Sequence, residues 1–425
     1  MSQTTQLQIA VIGAGIAGLA TAIALKDHPN VDVQIYEQAG ELREIGASIA
    51  LGPNGLRTLE RLGVHNALDN SIAFRNKSGH PMIYRHWKTN EIVSADSHRG
   101  DVEPRHHTAR FHRAHLQQAL LQHVDPSTIH LKKSFKSVKF DNATEKLVIS
   151  FTDGTTAAAD LLLGADGIHS LVRTSFLPTS GTAWTGWLAF RSVFPISHLS
   201  HLPEIPDEAT HYWGPDRTFF VSKLGKDLFT TVASYDSDPH APDAAGTTSK
   251  WDTEGDVNSL KEKYKDWSPQ IRSIVDAIPY TRVYPNVAAH GLDTWVLGDG
   301  RVTLAGDAAH AHGGAFAAGG SLALDDAWAF GASIRQVFPE NATELPTDRI
   351  ATALKLYERT RKAHTDRLIK IVNDNNKKRL ERLGQTETDE ELRTRMKSRA
   401  DTSWIHEHDV VAAFQQALAS EPSQV

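Results

Sequence analysis

Apolar and polar positions fall into two alternating regimes along this chain. Ile9, Val11 and Ile12 form a short apolar run of the kind a strand buried on both faces shows. Ile16 to Leu25 is apolar and rich in alanine, as a helix lying on a sheet is. Val31 to Tyr36 reads as a second strand. Buried-strand runs recur at Ala158 to Gly164 and at Val302 to Ala305. Between them, Gly46 to Leu51 predicts a strand that turns at Gly52–Pro53–Asn54 into a helix through Leu62. Leu116, Ala119, Leu120 and His123 recur at spacings of three and four, which predicts a helix over His112 to Val124. Ile129 to Ile149 alternates like paired strands, and Asp153–Gly154 is a turn signal. Helices are expected over Ser321 to Val337 and Ile350 to Leu383, and an amphipathic segment over Trp404 to Leu418. The charged stretch Glu387 to Ala400 reads as a loop or short helix.

Residues 176–285 differ in character. Strand-like segments at Trp187–Val193, Thr218–Lys223 and Leu228–Ser234 predict a mainly antiparallel sheet. The expected fold is α/β. A Rossmann-type nucleotide domain is assembled from residues 1–72, 101–175 and 286–340. A hairpin at 73–100 and the sheet of 176–285 form an inserted substrate domain, and C-terminal helices fill 341–425.

Composition narrows the function. The chain has 425 residues, with 45 Lys and Arg against 51 Asp and Glu, a net charge of −6. That balance gives no basic footprint for nucleic acid. No apolar stretch reaches the roughly 20 residues a membrane helix needs. With no cysteine, disulfides, thiolate metal sites and cysteine nucleophiles are excluded. Its absence also fits a reducing compartment, and a cytoplasmic location is expected.

The first run carries the clearest chemistry. Gly13, Gly15 and Gly18 stand at G-x-G-x-x-G spacing between strand and helix, with Ala17 inside the motif. The first glycine makes the turn, the second admits a pyrophosphate, and the third lets helix and strand pack closely. Glu37, 19 residues after Gly18, is placed to accept from a ribose hydroxyl. Two further strand-to-aspartate motifs follow, Asp166–Gly167 with Arg173, and Gly306–Asp307 with His310. Each aspartate alone reads equally well as a helix cap. A nicotinamide dehydrogenase, the other reading of the first motif, leaves both later motifs unexplained.

Taken together, GAGIAG, FHRAHL, ADGIHSLVR and GDAAHA with LDDA resemble the group A flavoprotein monooxygenases, the aromatic hydroxylases that include 4-hydroxybenzoate and salicylate hydroxylases. EIGASIALGPNGLRTLERLG and WIHEHDVVAAF are most similar to fungal salicylate-hydroxylase-like members. The resemblance implies FAD as cofactor, held by Gly13, Gly15, Ala17, Gly18, Glu37, Ala47, Arg113, Asp166, Gly306, Asp307, Gly319 and Gly320. It places Asp166 on a path shared with NAD(P)H. It implies reduction by NAD(P)H, O₂ addition at flavin C4a, and oxygen transfer from the hydroperoxide to an activated phenolic acid. Salicylate- or hydroxybenzoate-type decarboxylation is expected. The runner-up is a ring hydroxylase that keeps the carboxylate, or a dearomatising hydroxylase of a larger phenol. The chain departs from the family where Gly314 replaces a proline and Ala317 a glycine, in a glycine-rich loop expected to pass close to the flavin ring.

Candidates for the reacting end are Arg191, His310 and Gly314. Arg191 ends the strand-like WLAFR run, where a guanidinium facing inward meets a phenolate or carboxylate bidentately. His310 is a candidate to bond substrate or flavin, and the Gly314 carbonyl to face a substrate hydroxyl. A small aromatic substrate and O₂ are the expected partners of a monomer or homodimer. A flavoprotein without turnover stands as the non-enzymatic alternative.

Overall fold

The computed structural model describes residues 6–42, 47–237, 253–342 and 344–420. Gly46, expected to open a strand, lies outside them. The nucleotide domain is built on a five-stranded parallel sheet. Its order is Val302–Leu304, Leu161–Gly164, Leu7–Ile12, Val31–Tyr36 and Ile129–His130. The apolar run at the start of the chain is its central strand, paired with both neighbours, which is why it carries no polar alternation. The run from Ala158 to Gly164 is two strands rather than one. Thr156–Ala159 pairs antiparallel in a small separate sheet, and Leu161–Gly164 joins the central one. Asp160 sits at the corner, where its carboxylate accepts from the Gln8 amide at 2.9 Å and from Lys146 Nζ at 3.1 Å.

The inserted sheet has eight strands. Their order is Thr253–Gly255, Thr281–Ala289, Thr182–Pro195, Leu228–Asp236, Arg217–Leu224, Thr210–Trp213, Ile83–His86 and Ile92–Ala95. The hairpin from residues 73–100 therefore extends this sheet, in parallel with Thr210–Trp213. One face is covered by two helices absent from the sequence reading, Val257–Lys263 and Pro269–Asp276. They bury Leu260, Tyr264, Ile271 and Ile274 against Phe190, Phe194 and Phe219. Asp256 and Ser268 cap them, accepting from backbone amides two or three residues on. The other face looks toward a three-stranded sheet of Ser48–Leu51, Ala109–His112 and Phe74–Arg75. Thr230 Oγ1 donates to Ser48 Oγ across the gap at 2.9 Å.

A helix of 33 residues, Ile350–Arg382, links the two halves. It begins against the nucleotide domain and ends with Arg379 on Asp236 of the inserted sheet at 2.9 Å. The stretch after it forms the helix Asp389–Lys397, opened by a capping box between Thr388 and Glu391. The expected segment over Trp404 to Leu418 is broken in two, Ser403–His406 and Val410–Ala419, because Asp409 caps the second piece. Among the described residues no helix is long and apolar enough to cross a membrane.

Candidate active site

The three motif glycines have different reasons to be glycine. Gly13 holds φ at +107°, and a Cβ there would lie 2.4 Å from the Ala165 carbonyl oxygen. A Cβ on Gly18 would lie 2.0 Å from the Gly13 oxygen. Gly15 has nothing within 4 Å of that position, so its backbone opens onto free space. The helix that starts there, Ile16–Leu25, has neither a capping side chain nor an acid in its first turn. The same holds for Gly319–Val337. These helices run side by side in the same direction. The Cβ position of Gly306 lies 3.2 Å from Ala17 and 3.7 Å from Ala323, and that of Gly331 lies 2.8 Å from Ala24. Two uncapped helix starts therefore open at one end of the sheet, each favouring negative charge. This pair of donors fits a diphosphate.

Around this end the acids play separate parts. Glu37 Oε2 accepts from the Ala14 amide and Oε1 from the Ala39 amide, both at 2.8 Å. The carboxylate braces the glycine turn and keeps a lone pair on each oxygen for a ribose hydroxyl. Asp307 is exposed, and among the described residues its carboxylate accepts no hydrogen bond. Asp166 is the opposite case. It accepts from Leu171 N at 2.8 Å, Val172 N at 3.1 Å and Ser170 Oγ at 2.5 Å. With the N-cap Ser170, its carboxylate takes up the first amides of the helix Leu171–Phe176, as the cap reading describes. Burial raises its pKa, and those bonds oppose the shift.

The second aspartate motif is held from below. Gly306 N donates to Asp326 Oδ2 at 2.8 Å, and His310 Nε2 shares that oxygen at 2.6 Å. Arg361 Nε donates to Oδ1 at 2.8 Å. All three side chains are almost fully buried. Burial alone would raise the Asp326 carboxyl, but His310 and Arg361 hold it well below the ordinary range. With its ring tied to Asp326 and set against Trp295, His310 braces the motif through Nε2, and Nδ1 has no hydrogen-bond partner. Gly320 stands where the second helix packs on a strand. Its Cβ position lies 2.8 Å from Ile49 and Leu51 side chains, so it serves helix–strand packing. Gly313 packs on the Val287 carbonyl of the inserted sheet. Gly319 stays at the open end, where a Cβ would lie 3.9 Å from Asp307 Oδ1 and 3.4 Å from the His312 ring.

Arg191 and Gly314, 123 residues apart in the chain, meet. The Gly314 Cβ position lies 3.6 Å from Arg191 Nη2. The guanidinium carbon stands 5.3 Å from the Tyr284 ring centre, and Nε has no hydrogen-bond partner. Burial lowers its pKa, Tyr284 opposes that, and the charge of Arg113 adds to it. Arg113 starts the helix Arg113–Leu121, its amide bonded to the buried Ala47 carbonyl at 2.9 Å. Gly314 has φ +70°, a conformation closed to proline, whose ring fixes φ near −65°. The loop thus departs from the family's proline in backbone as well as in residue. Phe316 and Ala317 follow at φ +57° and +53°, left-handed without being glycine.

The family model described as an FAD binding domain matches residues 6–371. The chain belongs to this FAD-binding family of flavoprotein monooxygenases. The flavoprotein is 27% identical over 422 residues to 6-hydroxynicotinate 3-monooxygenase of Pseudomonas fluorescens, covering 96% of each chain. It is 27% identical to salicylate hydroxylase of Pseudomonas putida over 375 residues, 85% of this chain and 83% of that one. Among solved structures, a salicylate hydroxylase substrate complex superposes with a TM-score of 0.79 over the whole of both chains at 23% identity. Klebsiella pneumoniae HpxO with FAD and uric acid gives 0.74 over 99% of each at 22%. Its relatives are group A aromatic flavin monooxygenases, and the open glycine turn, paired helix starts and free Asp307 suit their cofactor.

Two features of the flavoprotein escape the sequence reading. Asp326 enters there only within the familial LDDA stretch, and Arg361 not at all. Two adjacent acids in an otherwise apolar helix are the signal of a buried ion pair. Arg110 gives no such signal, because an arginine next to histidines in a short strand reads as solvated.

Proposed function

We propose that this flavoprotein hydroxylates a phenolic acid of the salicylate or hydroxybenzoate type, with loss of CO₂. The observation that carries this is the unpaired Arg191 guanidinium beside Gly314 and Tyr284. FAD, when bound, supplies hydride acceptance from NAD(P)H and activation of O₂. Gly13, Gly15, Gly18 and the two helix starts hold its diphosphate, Glu37 its ribose and Asp307 its ribityl chain. Arg191 stays charged at any working pH and favours the phenolate, the electron-rich form of the ring. The Gly314 carbonyl accepts from a substrate hydroxyl. The two facing sheets keep water from the reacting carbon. One oxygen atom of O₂ bonds to the carboxyl-bearing carbon and the other leaves as water. NAD(P)H gives two electrons, solvent two protons, and CO₂ departs as aromaticity returns. The nucleotide domain comprises residues 1–72, 101–175 and 286–340, and the strand Thr281–Ala289 runs across the last of these boundaries.

Arg191→Ala tests the reading. A charge-assisted bond is worth about 1.5–3 kcal/mol, so KM should rise about tenfold to a hundredfold, or NAD(P)H use should uncouple from product, with FAD still bound. Arg191→Lys should recover only part, since a point charge lacks the planar fork. Unchanged turnover and coupling in Arg191→Ala refutes the assignment. Hydroxylation of carboxyl-labelled substrate without labelled CO₂ moves the protein to the runner-up, a hydroxylase that keeps the carboxylate.

A further inference from the structure

Resting on that reading, we infer that Arg110 is a second anion-binding point between the same two sheets, so that the substrate is a phenolic acid carrying another carboxylate about one ring beyond the end held by Arg191. Arg110 sits in the strand Ala109–His112. Its neighbour Phe111 enters the core of the nucleotide domain, so Arg110 points the other way, toward the inserted sheet. There its guanidinium carbon lies 5.8 Å from the centre of the Phe220 ring.

The side chain is 3% exposed and underused. Nη2 donates to the Pro81 carbonyl and meets Met82 Sδ at 3.9 Å. Nε and Nη1 have no partner. Leaving a buried charged donor unsatisfied is costly, so such a group calls for a further partner, which a ligand acid supplies here. The nearby acid is already engaged. Asp96 accepts from Tyr84 Oη at 2.9 Å and from Arg399 Nη2 at 2.5 Å. Burial pulls the Arg110 guanidinium down to about 10, which leaves it cationic at neutral pH.

The spacing to Arg191 sets the ligand. Arg191 pairs with Val232, and Val232 with Phe220, so all three share one face of the sheet. Each is partly open, while Phe190, Phe219 and Ala233 on the opposite face are buried. Two strand spacings separate Arg191 from Phe220, about 10 Å in the plane of the sheet. The floor between the two arginines is apolar. A single hydroxybenzoate ring engages one of them. A second ring lying on Val232 and Phe220 delivers an acid to the other.

The test uses the FAD-loaded enzyme and two acids, salicylate and 5-(4-carboxyphenyl)salicylate, titrated by their change in the flavin absorbance spectrum. The wild type should bind the dicarboxylate at least tenfold more tightly than salicylate. Arg110→Gln should bring that ratio close to one, leave salicylate affinity within about twofold, and retain FAD. Arg110→Lys keeps the charge and should give an intermediate ratio, which also serves if the glutamine variant fails to fold. A purely structural arginine would weaken both ligands alike. A ratio near one in the wild type, or the wild-type ratio kept in Arg110→Gln or, where only that variant folds, in Arg110→Lys, overturns the proposal and leaves the phenolic-acid reading in place. A wild-type flavin spectrum that neither acid perturbs overturns both.

Discussion

Removing the Asp326 carboxylate tests whether the cofactor site depends on a charge buried beneath it. Asp326 accepts three hydrogen bonds, from Gly306 N, His310 Nε2 and Arg361 Nε. Both Asp326 and Arg361 are 0% exposed. Asp326→Ala strips Arg361 of its direct partner, and breaking a buried pair this way costs about 3–5 kcal/mol. That is a large part of the roughly 5–15 kcal/mol that holds a typical protein folded. Asp326→Asn retains an acceptor for Gly306 N and should lose less, about 1.5–3 kcal/mol for the lost charge-assisted bond. Arg361→Met alone leaves the carboxylate buried with His310. Combined with Asp326→Asn it removes both charges, so the double variant should be more stable than the two single losses added together by about 0.5–3 kcal/mol. Urea unfolding followed by intrinsic fluorescence gives all four corners of the cycle. FAD content after gel filtration reports the site, because the Gly306 turn is fixed through the other oxygen of the same carboxylate. Singles within about 1 kcal/mol of wild type, or strict additivity in the cycle, would refute the argument.

Three further outcomes are expected. Asp307→Ala removes an exposed acceptor, so stability should stay within about 0.5 kcal/mol while FAD is lost more readily on gel filtration; equal retention counts against the ribityl assignment. Gly314→Ala asks a non-glycine residue to hold φ +70°, at a cost of about 1–2 kcal/mol, and should couple NAD(P)H use to product better than Gly314→Pro, which cannot adopt that angle; a proline variant coupled as well as wild type contradicts the loop geometry. Burial pushes His211 down to about 3 and His406 down to about 4, below their ordinary 6.5. Between about pH 6.5 and 4 the unfolded chain binds more protons, so each histidine should remove up to about 1.4 kcal/mol of stability per unit as pH falls, and none above pH 7; urea midpoints equal at pH 7.5, 6 and 5 exclude this.

What the sequence discloses follows from the range of each interaction. Gly13, Gly15 and Gly18 are local demands of one turn, and the paired helix starts follow from the same short motifs. The strand Leu7–Ile12 declares its central place by lacking alternation. The helices Val257–Lys263 and Pro269–Asp276 were hidden because each is short and set among strand-like segments, and their amphipathic faces become visible only against Phe190 and Phe219. Asp166 and His310 are ambiguous for a common reason. Each adjoins a short helix that follows a buried strand, where capping, bracing and ligand binding call for the same residue types. Only the partner, Leu171 N in one case and Asp326 in the other, separates these roles. Arg110 depends on Phe220 and Pro81, which no local pattern connects to it.

The interleaving of the nucleotide domain has a consequence for its birth. The glycine turn is complete by Glu37, yet Leu7–Ile12 is flanked by Leu161–Gly164, the next strand outward is Val302–Leu304, and the Gly306 turn rests on Asp326 and Arg361. At about 5–20 residues per second, a ribosome takes tens of seconds to make the chain between Glu37 and Arg361. Until Leu161–Gly164 and then Val302–Leu304 are made an apolar strand waits with an open edge, and until Val337 the diphosphate cradle lacks its second helix. Cofactor capture therefore waits until the chain has reached Arg361. A nascent chain halted before Arg361 holds the whole first motif and still has no finished place to put FAD.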